Sequence, residues 1–298
     1  MRIASNTVND SIVRQIQNLG TSQAKLQNQV ATGLRISQPE DDPAAVGRVI
    51  NLESEQRQLT QYQANAKRAL EISQASYSGL QSLKKVSNRA TEIGTLGAGA
   101  IGESSAKAYA SEVNQLIEQT VQFANTRFGN DYLFAGTAVS TAPYAATRDA
   151  AGQITAVAYA GNAQRAGIPI SEAATISPGT DVTINQGVGD FLNHLISLRD
   201  SLAANNPVAV SASQTNLLAS EDILVSALAE HGGIQTRIEA AQSQLADRDL
   251  SLQSLVSSET EADLPATIVK LNQTQTAYQA ALQSAANIMK VSLLDYLR

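Results

Sequence analysis

Two stretches at opposite ends of the chain share one pattern. Ile12, Ile16, Leu19, Gln23, Leu26 and Val30 fall at steps of four and three, the spacing that keeps one stripe of a helix facing a partner helix. Leu264, Ile268, Leu271, Gln275, Tyr278, Leu282, Ala285 and Met289 repeat it. Each stripe is interrupted by a glutamine and flanked by Gln, Asn, Ser, Thr and Ala rather than by dense Glu/Lys belts. Narrow apolar seams with charge-poor polar flanks suit surfaces buried against further helices. The expected assembly interface is therefore Ile12, Ile16, Leu19, Leu26 and Val30 from one end and Ile268, Leu271, Tyr278, Leu282 and Met289 from the other. A helical hairpin inside one ordinary domain is the alternative that spacing leaves open.

Between the seams the pattern predicts further helices. Gly33 weakens the first one, and Pro39 disfavours helix at the residue before it. Asp41, Asp42 and Pro43 then form a helix-capping turn: Asp42 can accept from exposed amides, and Pro43 at the first helical position loses no amide that was needed. Residues 44–93 read as one helix with Val49, Leu52, Leu59, Ala66, Leu70, Tyr77 and Leu80 on one stripe, a length of about 75 Å at 1.5 Å per residue. Residues 94–103 break it. A helix over 104–127 follows, with Tyr109, Val113, Leu116, Thr120 and Phe123 inward.

Glycine and proline then become frequent between Gly136 and Gly189, around short runs such as Ile154–Tyr159, Ile168–Ile170 and Val182–Ile184. That predicts hairpins of a small β-rich unit. Helix is expected again from Phe191, broken at Asn205-Asn206-Pro207 and near Ser257–Leu264, where Asp263 and Pro265 take capping positions. The fold class expected is mainly α with a small β-rich insertion, an elongated antiparallel helical bundle formed by the N- and C-terminal halves. Residues 1–43 and 264–298 would form a terminal helical assembly domain, 44–135 and 190–263 a helical rod domain, and 136–189 an outer β-rich domain.

Composition narrows the function. Only 4% of residues are aromatic and Trp is absent, which favours long helices packed closely over small side chains. The net charge of -6 provides no basic footprint, so neither nucleic acid nor membrane is an expected partner. No apolar run approaches the roughly 18–20 residues of a spanning helix, and the first residues lack the apolar core of a secretory signal. That alone suggests a cytosolic protein. The absence of cysteine excludes disulfides and thiolate chemistry, and fits either a cytosolic protein or one exported without a cleavable signal.

Candidate chemistry is sparse. Gly97-Ala98-Gly99-Ala100-Ile101-Gly102 matches the dinucleotide pattern G-x-G-x-x-G, but a helical stretch precedes it where a strand is required. A linker between helices is expected. His194 and His231 are the only histidines and are expected at helix surfaces or ends, with no ligand spacing for a metal. Asp41 and Asp42, adjacent before a proline, suit capping better than acid–base chemistry. No catalytic residue, cofactor or metal is expected.

The residues also resemble a known family. Gly33-Leu34-Arg35-Ile36 followed by Asp41-Asp42-Pro43-Ala44, and Gln61-Tyr62-Gln63-Ala64-Asn65-Ala66, are similar to the amino-terminal signature of the flagellin superfamily. Tyr132-Leu133-Phe134-Ala135-Gly136-Thr137 resembles its hook-filament junction branch. So does the ending, with Gln275, Tyr278, Ala280-Ala281-Leu282, Ile288-Met289 and Ser292-Leu293-Leu294-Asp295-Tyr296-Leu297. The resemblance covers roughly residues 1–137 and 235–298. Tyr159-Ala160-Gly161-Asn162 and Asp181–Asp190 fit more loosely, with Asn162 where an aspartate is usual.

The resemblance implies a flagellin-like fold and a non-enzymatic structural adaptor of the bacterial flagellum, joining the hook to the filament by helical self-assembly of its terminal segments. It implies a homo-oligomer ring, an adjacent hook-associated junction protein, flagellin and a cytosolic export chaperone as partners. It also implies an extracellular destination reached through the flagellar export apparatus. A filament subunit and a cytosolic helical scaffold are the alternatives.

Overall fold

The structure, a computed structural model, describes the backbone of residues 2–99 and 101–296 and the side chains of residues 10–99 and 101–287. Among them six helices, α1 (Arg2–Thr32), α2 (Pro43–Gly97), α3 (Glu103–Ala124), α4 (Val182–Ala203), α5 (Pro207–Thr260) and α6 (Leu264–Tyr296), carry the fold. Three two-stranded antiparallel pairs interrupt them: β1 (Arg127–Phe128) with β2 (Asp131–Tyr132), β3 (Tyr144–Arg148) with β4 (Ile154–Tyr159), and β5 (Ile168–Pro169) with β6 (Thr175–Ile176). The protein is thus mainly α with a small β-rich insertion. It divides into two compact units, Met1–Gln58 with Arg248–Arg298, and Leu59–Asp247.

Helix ends follow from local chemistry. Gly33, with φ of 72°, follows the last turn of α1, a left-handed conformation that glycine adopts without steric cost. Asp42 Oδ1 accepts the amide of Ala45 at 3.0 Å, and Pro43 opens α2. Asn206 Oδ1 accepts from the amide of Ala209 at 3.2 Å before Pro207 starts α5, and Asp263 Oδ1 accepts from Ala266 at 3.1 Å at the head of α6.

Three expectations are corrected. The run Val182–Ile184 is the first turn of α4 rather than a strand, because Asp181 caps it by accepting the Thr183 amide at 2.6 Å. Helix therefore resumes nine residues before Phe191 despite Gly187 and Gly189. Gly187 has a packing reason: a Cβ there would stand 2.8 Å from Ile223 Cγ2, so close approach to α5 outweighs glycine's poor helix propensity. α3 ends at Ala124, since Arg127–Phe128 pairs with Asp131–Tyr132. Its buried face is Ala106, Ala110, Val113, Ile117, Thr120 and Ala124, with Tyr109, Leu116 and Phe123 only partly covered.

The core lies in the second unit. Leu80, Leu83 and Ile93 of α2, Val113 and Ile117 of α3, Phe191, Leu192 and Leu195 of α4, and Leu217 and Leu224 of α5 form one buried cluster. Within this unit α2 and α5 run antiparallel, as Ser73 faces His231 at 3.2 Å, Lys84 meets Glu221 at 2.5 Å, and Gln214 donates to Thr95 at 3.0 Å. The β3–β4 hairpin is fastened to α4 by Asn193, which accepts the Val157 amide at 3.1 Å and donates to its carbonyl at 3.0 Å. Buried Arg199 donates to the Ile154 carbonyl at 2.7 Å. Phe134 is fully buried and sits over Gly79, where a Cβ would be 3.0 Å from the ring.

Candidate assembly surface

In the first unit α1 and α6 lie side by side. They run antiparallel: a Cβ on Gly20 would touch Tyr278 Cε2 at 3.6 Å, while the Ala262 amide donates to the Gly33 carbonyl at 2.8 Å. Ile12, Ile16, Leu19, Leu26 and Val30 share one half-buried face of α1, with Gly20, Gln23 and Gln29. On α6 the covered residues are Thr267, Leu271, Thr274, Gln275, Tyr278, Ala281 and Ala285. Leu271 and Tyr278 are therefore brought together with the α1 seam. Ile268 and Leu282 are not, each remaining 44% exposed, and Leu264 is 40% exposed. The side chain of Met289 lies outside the described residues.

The apolar surface of α6 is thus wider than one partner covers. Thr267, Leu271, Thr274, Tyr278, Ala281 and Ala285 follow steps of four and three against α1. Leu264, Ile268 and Leu282 form a second, exposed edge of the same helix. Two threonines and two alanines on the covered face are a polar, small-volume choice that lets the helices approach but buries little apolar area. Apart from Leu271, the large aliphatic side chains Leu264, Ile268, Val269 and Leu282 are left on the outside. Val13, Ile50, Leu250, Leu255 and Val269 of the same unit are also exposed. These were absent from the heptad reading, although Val13 and Val269 each follow a seam residue directly and widen its stripe.

A polar knot joins the two ends of this unit. Leu34 pairs with Glu261 as an isolated bridge, the Arg35 amide donates to the Thr260 carbonyl at 2.7 Å, and Arg35 Nη2 donates to the Glu259 carbonyl at 2.7 Å. Arg48 grips both oxygens of Glu259 at 2.9 Å each, a bidentate geometry that fixes orientation. Asp42 also pairs with Arg35 at 3.2 Å. Asp41 takes the amides of Ser37 and Gln38 at 3.0 and 3.1 Å and Lys25 at 2.7 Å. Asp42 thus caps α2, whereas Asp41 accepts from amides behind it and closes the 37–41 loop rather than a helix end.

The electrostatics agree with that role. The Lys25 hydrogen bond and two backbone amides hold the Asp41 carboxyl well below the usual range. The Ala45 amide and Arg35 lower Asp42, and Arg48 lowers Glu259. None of these groups is poised to exchange a proton near neutrality. Exposed pairs of this kind stabilise little, so the knot sets register more than it supplies energy.

The motifs singled out in the sequence for chemistry have structural explanations. Gly97 of the glycine motif ends α2 where a Cβ would collide with Leu202 Cδ2, so helix packing explains that glycine. His194 is half-buried with Nδ1 2.8 Å from Ser220 Oγ. His231, expected at a surface, is fully buried in α5 against Ser73, and burial lowers its pKa to about 4. No group of three His, Asp or Glu that could hold a metal occurs among the described residues, and no helix there is long and apolar enough to cross a membrane.

Comparison with known proteins gives this surface a context. The bacterial flagellin N-terminal helical region matches residues 3–139. Flagellar hook-associated protein 3 of Escherichia coli strain K12 is 25% identical over 337 residues, covering 99% of each chain. The protein of that name from Salmonella typhimurium is 29% identical over 150 residues, 48% of this chain and 46% of its own. In fold, the chain is similar to a Vibrio parahaemolyticus structure described as a flagellar hook-associated protein, with a TM-score of 0.66 at 20% identity over 74% of this chain and 100% of that one.

Proposed function

We propose that this chain, a homologue of hook-associated protein 3 with a flagellin N-terminal helical region, is a structural adaptor that joins the flagellar hook to the flagellin filament. One observation carries the reading: α6 keeps two large aliphatic residues, Ile268 and Leu282, on an edge that α1 leaves uncovered. A helical pair that satisfies half of its apolar surface internally is half of an interface. Neighbouring copies would cover the rest, ordering the terminal helices as a ring forms, because an amphipathic helix gains most of its stability from packing.

By the same homology the neighbours are another hook-associated protein on one side and flagellin on the other. A chaperone would shield the uncovered edge before passage through the flagellar export apparatus. The exposed aliphatic side chains give that chaperone a surface to bind. No enzymatic step is part of this role.

The reading is tested with purified hooks carrying the adjacent junction protein. Adding flagellin together with this chain should nucleate filaments from those hooks, and flagellin alone should not. Filament growth in its absence, or unlimited elongation of the chain by itself, contradicts the adaptor role. The second result would instead favour a filament subunit.

A further inference from the structure

The second unit contains an apolar cavity of about 330 Å³ whose floor includes Ile72, Phe128, Leu133, Ile168 and Pro178. Arg68 stands at its rim, exposed, and makes no ion pair or hydrogen bond among the described residues. Arg165, also on the rim, is already engaged by Glu230 at 2.5 Å. At the small end of ligand-sized cavities, this volume suits one or two side chains better than an extended cofactor. The cavity therefore asks for a branched aliphatic group next to a carboxylate.

The same unit presents such a group elsewhere. Leu218 and Val225 of α5 are 51% and 48% exposed, and Asp222 lies between them at i+4, so the three form one stripe. Asp222 is exposed and has no ion partner among the described residues. No lysine or arginine occurs between Ala204 and Thr236, so the negative charge of this ridge is uncompensated on its own helix.

We propose that the Leu218–Asp222–Val225 ridge of one copy docks in the Arg68 cavity of a second copy. This rests on the reading of the chain as a self-assembling subunit. Apolar side chains meet the apolar floor, and the free carboxylate of Asp222 complements the free guanidinium of Arg68. Cavity and ridge are different surfaces of the same unit. The contact is therefore head-to-tail, and it propagates until the rotation closes a ring. Asp131, on the same rim, carries the opposite sign and opposes the docking.

Because the chain has no cysteine, two can be placed cleanly. The full-length chain with Thr137→Cys at the rim and Val225→Cys on the ridge is treated with a short bismaleimide under conditions where the wild-type chain assembles. The expected result is an intermolecular ladder. Arg68→Glu should reduce it roughly tenfold, adding Asp222→Lys should restore it, and Asp131→Asn should raise it. Arg68→Gln, a milder change, should lower it in the same direction. A missing ladder, or one indifferent to Arg68→Glu in a variant that melts like wild type, overturns the contact. Failure of the assembly reading is seen separately, as a wild-type chain that sediments only as a monomer across the whole concentration series.

Discussion

Replacing Leu282 and Leu271 with alanine separates the two edges of α6. Full burial of a leucine side chain contributes about 1.5–3 kcal/mol, and Leu282 is still 44% exposed. About 1 kcal/mol of its burial is therefore unrealised until a neighbour covers it. Leu282→Ala should cost the isolated chain about 0.5–1 kcal/mol, less than Leu271→Ala, and raise the concentration needed for assembly by roughly fivefold. Leu271 is already half-buried against α1, so Leu271→Ala should cost the α1–α6 pair about 1–2 kcal/mol before any assembly. Hydrogen exchange of α1 amides measures the first quantity, and sedimentation across a concentration series measures the second. Equal loss of α1 protection in both variants, or an unchanged assembly threshold for Leu282→Ala, would refute the division into two edges.

Other expectations follow from the packing and the charges. Gly187→Ala should lower unfolding stability by about 1–2 kcal/mol, overpacking against Ile223 exceeding the gain in helix propensity, and Ile223→Val should recover part of it in denaturant titrations. His231 is held neutral with a pKa near 4. The unfolded chain thus takes up the proton first, and stability should be complete above about pH 6.5 and fall, on the order of 2–3 kcal/mol, as the pH drops toward 4. His231→Leu should flatten that slope, and an unchanged slope would show that another group is responsible. Asp41, Asp42 and Glu259, all lowered, stabilise the knot fully above the ordinary carboxylate range. Protection of the Ser37 and Arg35 amides should therefore be lost only as the pH falls below it.

Three helix starts were legible because capping is local: Asp42 before Pro43, Asn206 before Pro207 and Asp263 before the final helix each act within three residues. Ile154–Tyr159 was legible for the same reason, as a short apolar run between turn residues. The onset of α4 was not, since two glycines lowered its helical character and the reason for Gly187 lies 36 residues away on Ile223. Burial of His231 was hidden because its partner is Ser73 on another helix. On α6, periodicity identified an apolar stripe, but two registers share Leu271, Tyr278 and Ala285. Which one meets α1 depends on packing, and Thr267, Thr274 and Ala281 gave no apolar signal.

The most direct measurement is a side-chain-resolution density map of the isolated junction between hook and filament. The account predicts this chain there as a ring, with Ile268 and Leu282 of each copy packed on a helix of a neighbouring subunit while Leu271 and Tyr278 remain against α1. A ring in which Ile268 and Leu282 face solvent or the open channel would contradict it.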